Sequence, residues 1–140
     1  MAYLETFAGE IADALTDAGI TAFTEFAREC APLPRAPKFV TLAVSAMQTE
    51  PPLAYPGGTA SPAELTLRFR LHGMPQSDPD DLAILWELYV LPVMLRGGYP
   101  ITHAKLGETR CDKTLDRLVR EGTVSLRALL LRVSREEAVT

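Results

Sequence analysis

Residues 78–98 read DPDDLAILWELYVLPVMLRGG, and no other segment of the 140-residue chain restricts the fold as tightly. Asp78 is placed as an N-cap and Pro79 stands at the first helical position. Asp80 and Asp81 occupy the first turn, where free backbone N–H groups and the positive end of the helix dipole favour carboxylates. Arg96 followed by Gly97 and Gly98 supplies a cationic last turn and a stop. The segment predicts one helix of about five turns. At 100° per residue, Leu82, Leu85, Trp86, Tyr89 and Val93 share one face, while Ile84, Leu88, Leu91 and Leu95 gather on nearly the opposite one. A single core takes one face. The second must lie beneath the N-terminal helix or against another copy of the chain, and the sequence leaves both open. Burying those four side chains is worth at most about 6–12 kcal/mol, more than a protein in water usually leaves exposed. Pro92 lies inside the helix, where it removes one backbone bond and is expected to kink the last turn.

Working outward, Glu64–His72 alternates Leu65, Leu67, Phe69 and Leu71 against Glu64, Thr66, Arg68, Arg70 and His72, a strand with one core face and one wet face. Phe39–Met47 is apolar or small on both parities and predicts a strand covered on both sides, pairing with 64–72 as a long-looped antiparallel hairpin. The connecting stretch 49–62, TEPPLAYPGGTASP, has four prolines, two glycines and no periodicity, and is expected to be a loop. It is either a passive mobile loop or an arm that orders on a partner, with Tyr55 as its one aromatic. Downstream, 100–110 and 123–133 predict two more strands. In the second, Val124, Leu126, Ala128 and Leu130 share one parity, and Leu129, Leu131 and Val133 then take the other, which points to a bulge or to burial on both faces. Residues 111–122 are a helical turn or more strand, and 134–140 are a tail expected to fray.

Upstream, Leu4, Phe7, Ile11 and Leu15 recur at spacings of three and four over 3–18, with Gly19 as the stop: an amphipathic helix. Residues 20–30 stay open between helix and strand, and the prolines of 31–37 require an extended connector. The expectation is a single α+β domain over 1–140, a four-stranded, mainly antiparallel sheet with two principal helices in the order α-β-β-α-β-β.

Fourteen basic against eighteen acidic residues give a net charge of −4, which offers no general attraction for nucleic acid or an anionic membrane. Residues 105–135 hold eight basic and four acidic side chains, but these alternate with apolar residues as on the solvated face of a sheet. Cys30 and Cys111 form no CxxC pair, so free thiols in a reducing compartment are expected. Neither a basic, apolar signal segment nor a run of about 20 apolar residues is found, and a cytoplasmic protein is expected.

Catalytic chemistry is not indicated. His72 and His103 occupy polar strand positions, and a His103, Cys111 and Asp112 constellation matches no known spacing. The DPDD cluster lacks the glycine and distal glutamate of a calcium loop and is explained by capping. Pro56–Gly58 lacks the continuation of a phosphate loop and reads as a turn. No catalytic, cofactor or metal residues are expected.

Taken in order, the capped N-terminal helix, FVTLAV at 39–44, the long connection, ELTLRFRLHG at 64–73, the helix with LYVLPVM at 88–94, and the closing strands with GETRCD and TVSLRALLLRV resemble the tail terminator (tail completion) proteins of long-tailed phages over residues 3–133. The 49–62 connection is longer than the family pattern, and 105–121 has no clear counterpart in it. The resemblance implies a non-enzymatic virion assembly protein without cofactors. It would form a ring, expected to be hexameric, that stops tail-tube growth and joins the tail to the head. Its partners would be itself, the tail-tube protein and the head–tail connector, in the host cytoplasm during assembly and then in the virion or a tail-like particle. Ile84, Leu88, Leu91 and Leu95 are the residues expected to self-associate, and Tyr55 with its loop to touch the neighbouring ring. A head-completion or neck protein of the same assembly and a small regulatory ligand-binding domain are the alternatives.

Overall fold

The computed structural model describes residues 2–25, 36–76, 78 and 80–133. Cys30, most of the 31–37 connector, Pro79 and the 134–140 tail lie outside them. The chain begins with α1 (Ala2–Asp17), which buries Ile11 and Leu15 of the predicted stripe together with Ala8 and Ala12, while Leu4 and Phe7 are half-buried. Gly19, at φ 108°, turns the chain into β1 (Ala22–Thr24). Then come β2 (Phe39–Thr49), β3 (Leu53–Tyr55) and β4 (Gly58–Gly73). A helical rod follows, built from α2 (Asp80–Leu85), a π-helical turn (Trp86–Val90) and α3 (Leu91–Arg96). The long hairpin of β5 (Ile101–Asp112) and β6 (Arg117–Val133) closes the fold.

The strand order is β1-β2-β4-β6-β5, with β3 also paired to β4. The sheet therefore has six strands and is mixed, correcting the expected four-stranded, mainly antiparallel one. Both additions have physical reasons for escaping a periodicity reading. β1 is three residues long and gains its identity by pairing in parallel with Val40–Leu42 of β2, a tertiary contact. β3 is hidden by the prolines around it. Pro51 and Pro52 fall in the gap between β2 and β3, and Pro56–Gly57 makes the two-residue turn into β4 with Gly57 at φ 95°, as the third position of a type II turn requires. Pro62 sits within β4 without cost. Its carbonyl accepts from Glu50 N–H at 2.8 Å, so its missing donor faces the interrupted edge between β2 and β3 and not β6. The expected loop at 49–62 is thus an ordered hairpin.

β4 and β6 pair without interruption from Gly58↔Val133 to Gly73↔Leu118. The parity change at the end of β6 therefore reflects no bulge in that pairing. The register shifts fall in β2 at Val44/Ala46 and in β5 at Ile101/His103 and Leu106/Thr109. Residues 111–122 are strand, turn and strand. Asp112 Oδ1 accepts from Thr114 and Leu115 N–H at 3.0 and 3.1 Å, and Asp116 takes φ 52°.

Both helices cover the face of the sheet that carries Leu65, Leu67, Phe69 and Leu71. Phe69 meets Trp86 edge-on with ring centroids 5.8 Å apart. Trp86 lies so close to Gly122 that a Cβ there would stand 2.5 Å from the ring. The rod starts as expected, Asp80 N–H donating to Asp78 Oδ1 at 2.9 Å, and ends with Gly98 at φ 73°.

Pro92 is accommodated by the π turn, in which Leu91 N–H donates to the Trp86 carbonyl. The extra residue in that turn sets the following positions back by roughly 100°. Val90 and Met94 consequently join Leu82, Leu85, Trp86 and Val93 in the core, and Tyr89 is only half-buried.

Candidate interaction surface

The second apolar face of the rod is open to solvent. Ile84, Leu88 and Leu95 are 49, 65 and 68 % exposed, and no element among the described residues covers them. The π turn splits the group: it leaves Leu91 half-buried against the core, and the same setback turns Leu95 by roughly 100° from the face that carries Ile84 and Leu88. The stripe is held on a rigid rod whose other side carries six buried side chains, so it cannot collapse inward without emptying the core.

Tyr55, the other residue singled out by sequence, lies in β3, 38 % exposed. It does not stand alone. Tyr55 pairs with Gly58, Leu53 with Ala60, and Leu129 with Pro62. Those even-numbered β4 positions continue the row of Glu64, Thr66, Arg68 and Arg70, so all three side chains emerge on the sheet face away from the helices. Leu53 and Leu129 are 64 and 59 % exposed. Sequence reading missed both as surface residues. For Leu129 the signal was present: the parity change, in a strand that continues without a bulge, means an apolar side chain on the wet face. The far end of the sheet, formed by β3 with the distal parts of β2, β4 and β6, is thus an arm with an apolar patch.

Nearer the middle, the same face is charged, with three arginines paired to two glutamates. Glu25, just beyond β1, accepts from Arg68 Nε at 3.0 Å and Nη2 at 2.6 Å, a two-pronged pair. Arg70 stands 3.7 Å from Glu25, and Glu121 lies 3.6–4.0 Å from Arg68, Arg70 and Arg110. The hydrogen bond to Glu25 holds the Arg68 guanidinium above its ordinary value; burial opposes this, and the charges of Glu25 and Glu121 add to it. The network ties the short parallel strand to β4, β6 and β5.

Beside it, Phe39 stacks on His72 at 4.3 Å, Thr41 Oγ1 lies 3.3 Å from His72 Nε2, and the Arg117 guanidinium covers Phe39 while donating to the Ala36 and Pro37 carbonyls. A cleft of about 320 Å³ opens here between Glu25, Arg70, His72, Arg110 and Asp112. Its arginines face the carboxylates of the network, and Asp112 caps the β5–β6 turn. Both arginines of the cleft are ion-paired, although the buried Arg70 Nε makes no hydrogen bond.

His103 and Cys111 are both exposed on β5, eight residues and therefore roughly 25 Å apart along the strand, and cannot act together. Among the described residues no group of three or more His, Cys, Asp and Glu side chains could hold a metal ion. No described helix is long and apolar enough to cross a membrane. Exposed apolar side chains thus lie on the outer side of the rod and, on the opposite face of the sheet, at the arm, next to an ion-paired charged region. In comparison with known proteins, no family model matches this chain, and no curated protein matches it in sequence.

Proposed function

We propose that this chain is a structural assembly protein that self-associates into a ring and, as its resemblance to phage tail terminators implies, caps a tail tube and joins it to the head connector. The observation that carries the reading is the exposure of Ile84, Leu88 and Leu95 on a rod whose other side is anchored in the core. Roughly 1.5–3 kcal/mol per buried side chain is forgone as long as that stripe faces water, and association recovers it. The ion pairs of the sheet, which tie its strands to one another, support a scaffold. On this reading the protein works in the host cytoplasm during assembly and then within the virion or a tail-like particle. It takes no cofactor.

Light scattering over a concentration series tests it. A species near six copies of the 15.3 kDa chain, roughly 90 kDa, is expected, with rings visible by negative-stain microscopy. A monomer at every concentration, even after mixing with tail tubes, removes the reading. Binding to isolated tube ends, as against head connectors alone, separates a terminator from a neck protein.

A further inference from the structure

We propose that the cleft on the face of the sheet away from α1 and the rod binds a small organic monocarboxylate, held by Arg70 and Arg110. The site does not depend on the assembly proposed above. Strand register builds it. Thr41 pairs with Arg70, His72 with Val119, and Val119 with Arg110, so side chains of β2, β4, β6 and β5 emerge side by side on one face. Thr41, His72 and Val119 are buried even though they point away from the helices, and Thr41 Oγ1 lies 3.3 Å from His72 Nε2. The cleft therefore has a fixed, partly polar floor. Its volume of about 320 Å³ stands at the small end of ligand sites and is roughly twice that of a cavity that takes a benzene ring.

The arginines choose the charge. Arg68 is hydrogen-bonded to Glu25 at 2.6 and 3.0 Å, and Arg117 donates to two backbone carbonyls. Arg70 and Arg110, which line the cleft, reach Glu25 and Glu121 only at 3.6–4.0 Å, beyond the roughly 3.2 Å of a hydrogen bond. Their N–H donors are thus available to a closer acceptor, and the planar fork of a guanidinium matches a carboxylate. The network joins three arginines to two glutamates, an excess of one positive charge. Glu25 and Asp112 also line the cleft, so a doubly charged phosphate meets repulsion there that a single carboxylate largely avoids. Asp112 itself is engaged by the Thr114 and Leu115 N–H groups of the turn. Leu115 and Val119 supply an apolar wall, which suits an acid with a short aliphatic or aromatic body.

Saturation-transfer NMR on the full chain tests the site, because it reads the ligand and works on a monomer or a ring alike. Benzoate and butyrate should each bind saturably and compete with one another. Benzyl alcohol, the same ring without the charge, should give no saturable signal, and inorganic phosphate should not displace benzoate at equal concentration. Arg110→Gln changes an exposed side chain and should keep the wild-type circular dichroism while weakening benzoate roughly tenfold or more. Arg127→Gln, on the same face but outside the cleft, should leave benzoate affinity unchanged. No saturable benzoate or butyrate binding overturns the proposal, as does benzoate affinity unaltered by Arg110→Gln. Benzyl alcohol binding as well as benzoate overturns it in favour of an apolar site, and displacement by phosphate in favour of unselective anion binding.

Discussion

β4 passes through two environments in one uninterrupted strand. From Ala63 to Gly73 its alternate residues lie beneath α1 and the α2–α3 rod, while from Gly58 to Pro62 they are flanked by β3 and β6 with no helix among the described residues above. Hydrogen-bonded pairing with β6 is the same in both. Backbone pairing therefore extends the sheet, but the helices decide which part of it is core. The half without them leaves Leu53, Tyr55 and Leu129 at the surface. The rod repeats the contrast in miniature, with six side chains buried on one side and three exposed on the other.

Substitutions should separate the two halves by size of effect. The largest is expected in the covered half: Phe69→Ala, emptying a fully buried ring from beneath Trp86, should cost about 3–5 kcal/mol in denaturant unfolding. A loss below 1 kcal/mol would mean the helices do not define the core. Next, Gly122→Val forces a side chain into the Trp86 ring and should cost about 1–3 kcal/mol, with a change in tryptophan fluorescence as the indole moves. Glu25→Gln, which takes the carboxylate from the two-pronged contact with Arg68, should cost about 1–2 kcal/mol and loosen β1 in hydrogen exchange before the rest of the sheet.

In the uncovered half the same kind of change should scarcely register. Leu53→Ser is expected to lie within about 0.5 kcal/mol of wild type in unfolding of the monomer, and to show itself only in assembly. A loss above 2 kcal/mol would place Leu53 in a core.

The smallest effect is a pH dependence at the seam between the halves, where Tyr99 packs edge-on against Phe7 at 5.6 Å. Burial, with a contribution from Glu10, raises the Tyr99 phenol above its ordinary value. The folded chain then keeps this proton to higher pH than the unfolded chain does. Its contribution to stability is full below about pH 10, the unfolded value, and is lost as pH rises through the folded one. Tyr99→Phe should flatten that alkaline slope and leave neutral pH unchanged; an unaltered slope would assign it to other groups.

Much of the covered half was legible in the sequence because local and tertiary preferences agree there. The alternation of 64–72 survives as a half-buried strand, α1 packs its predicted stripe on the core with Ile11 and Leu15 buried and Leu4 and Phe7 half-buried, and Asp78 and Gly98 cap the rod as their chemistry requires. Where they diverge, the sequence misled. The prolines of 49–62 announce a loop, yet each stands where a strand edge or turn needs no donor, so the hairpin forms regardless. Of the four side chains grouped as a second helix face, Ile84, Leu88 and Leu95 are exposed, but Leu91 is half-buried and Leu95 is turned from the other two, because a 100° step does not anticipate the π turn ahead of Pro92.

By itself, then, the sequence determined the two helices, the central strands and the existence of a second apolar face, since periodicity and capping act over a few residues. Only the tertiary structure decided that the sheet has six strands, that β1 joins it in parallel, and that the stripe and the arm patch point to opposite sides. Those outcomes depend on which segments meet across the chain and on the order in which strands pair, and no local propensity encodes either.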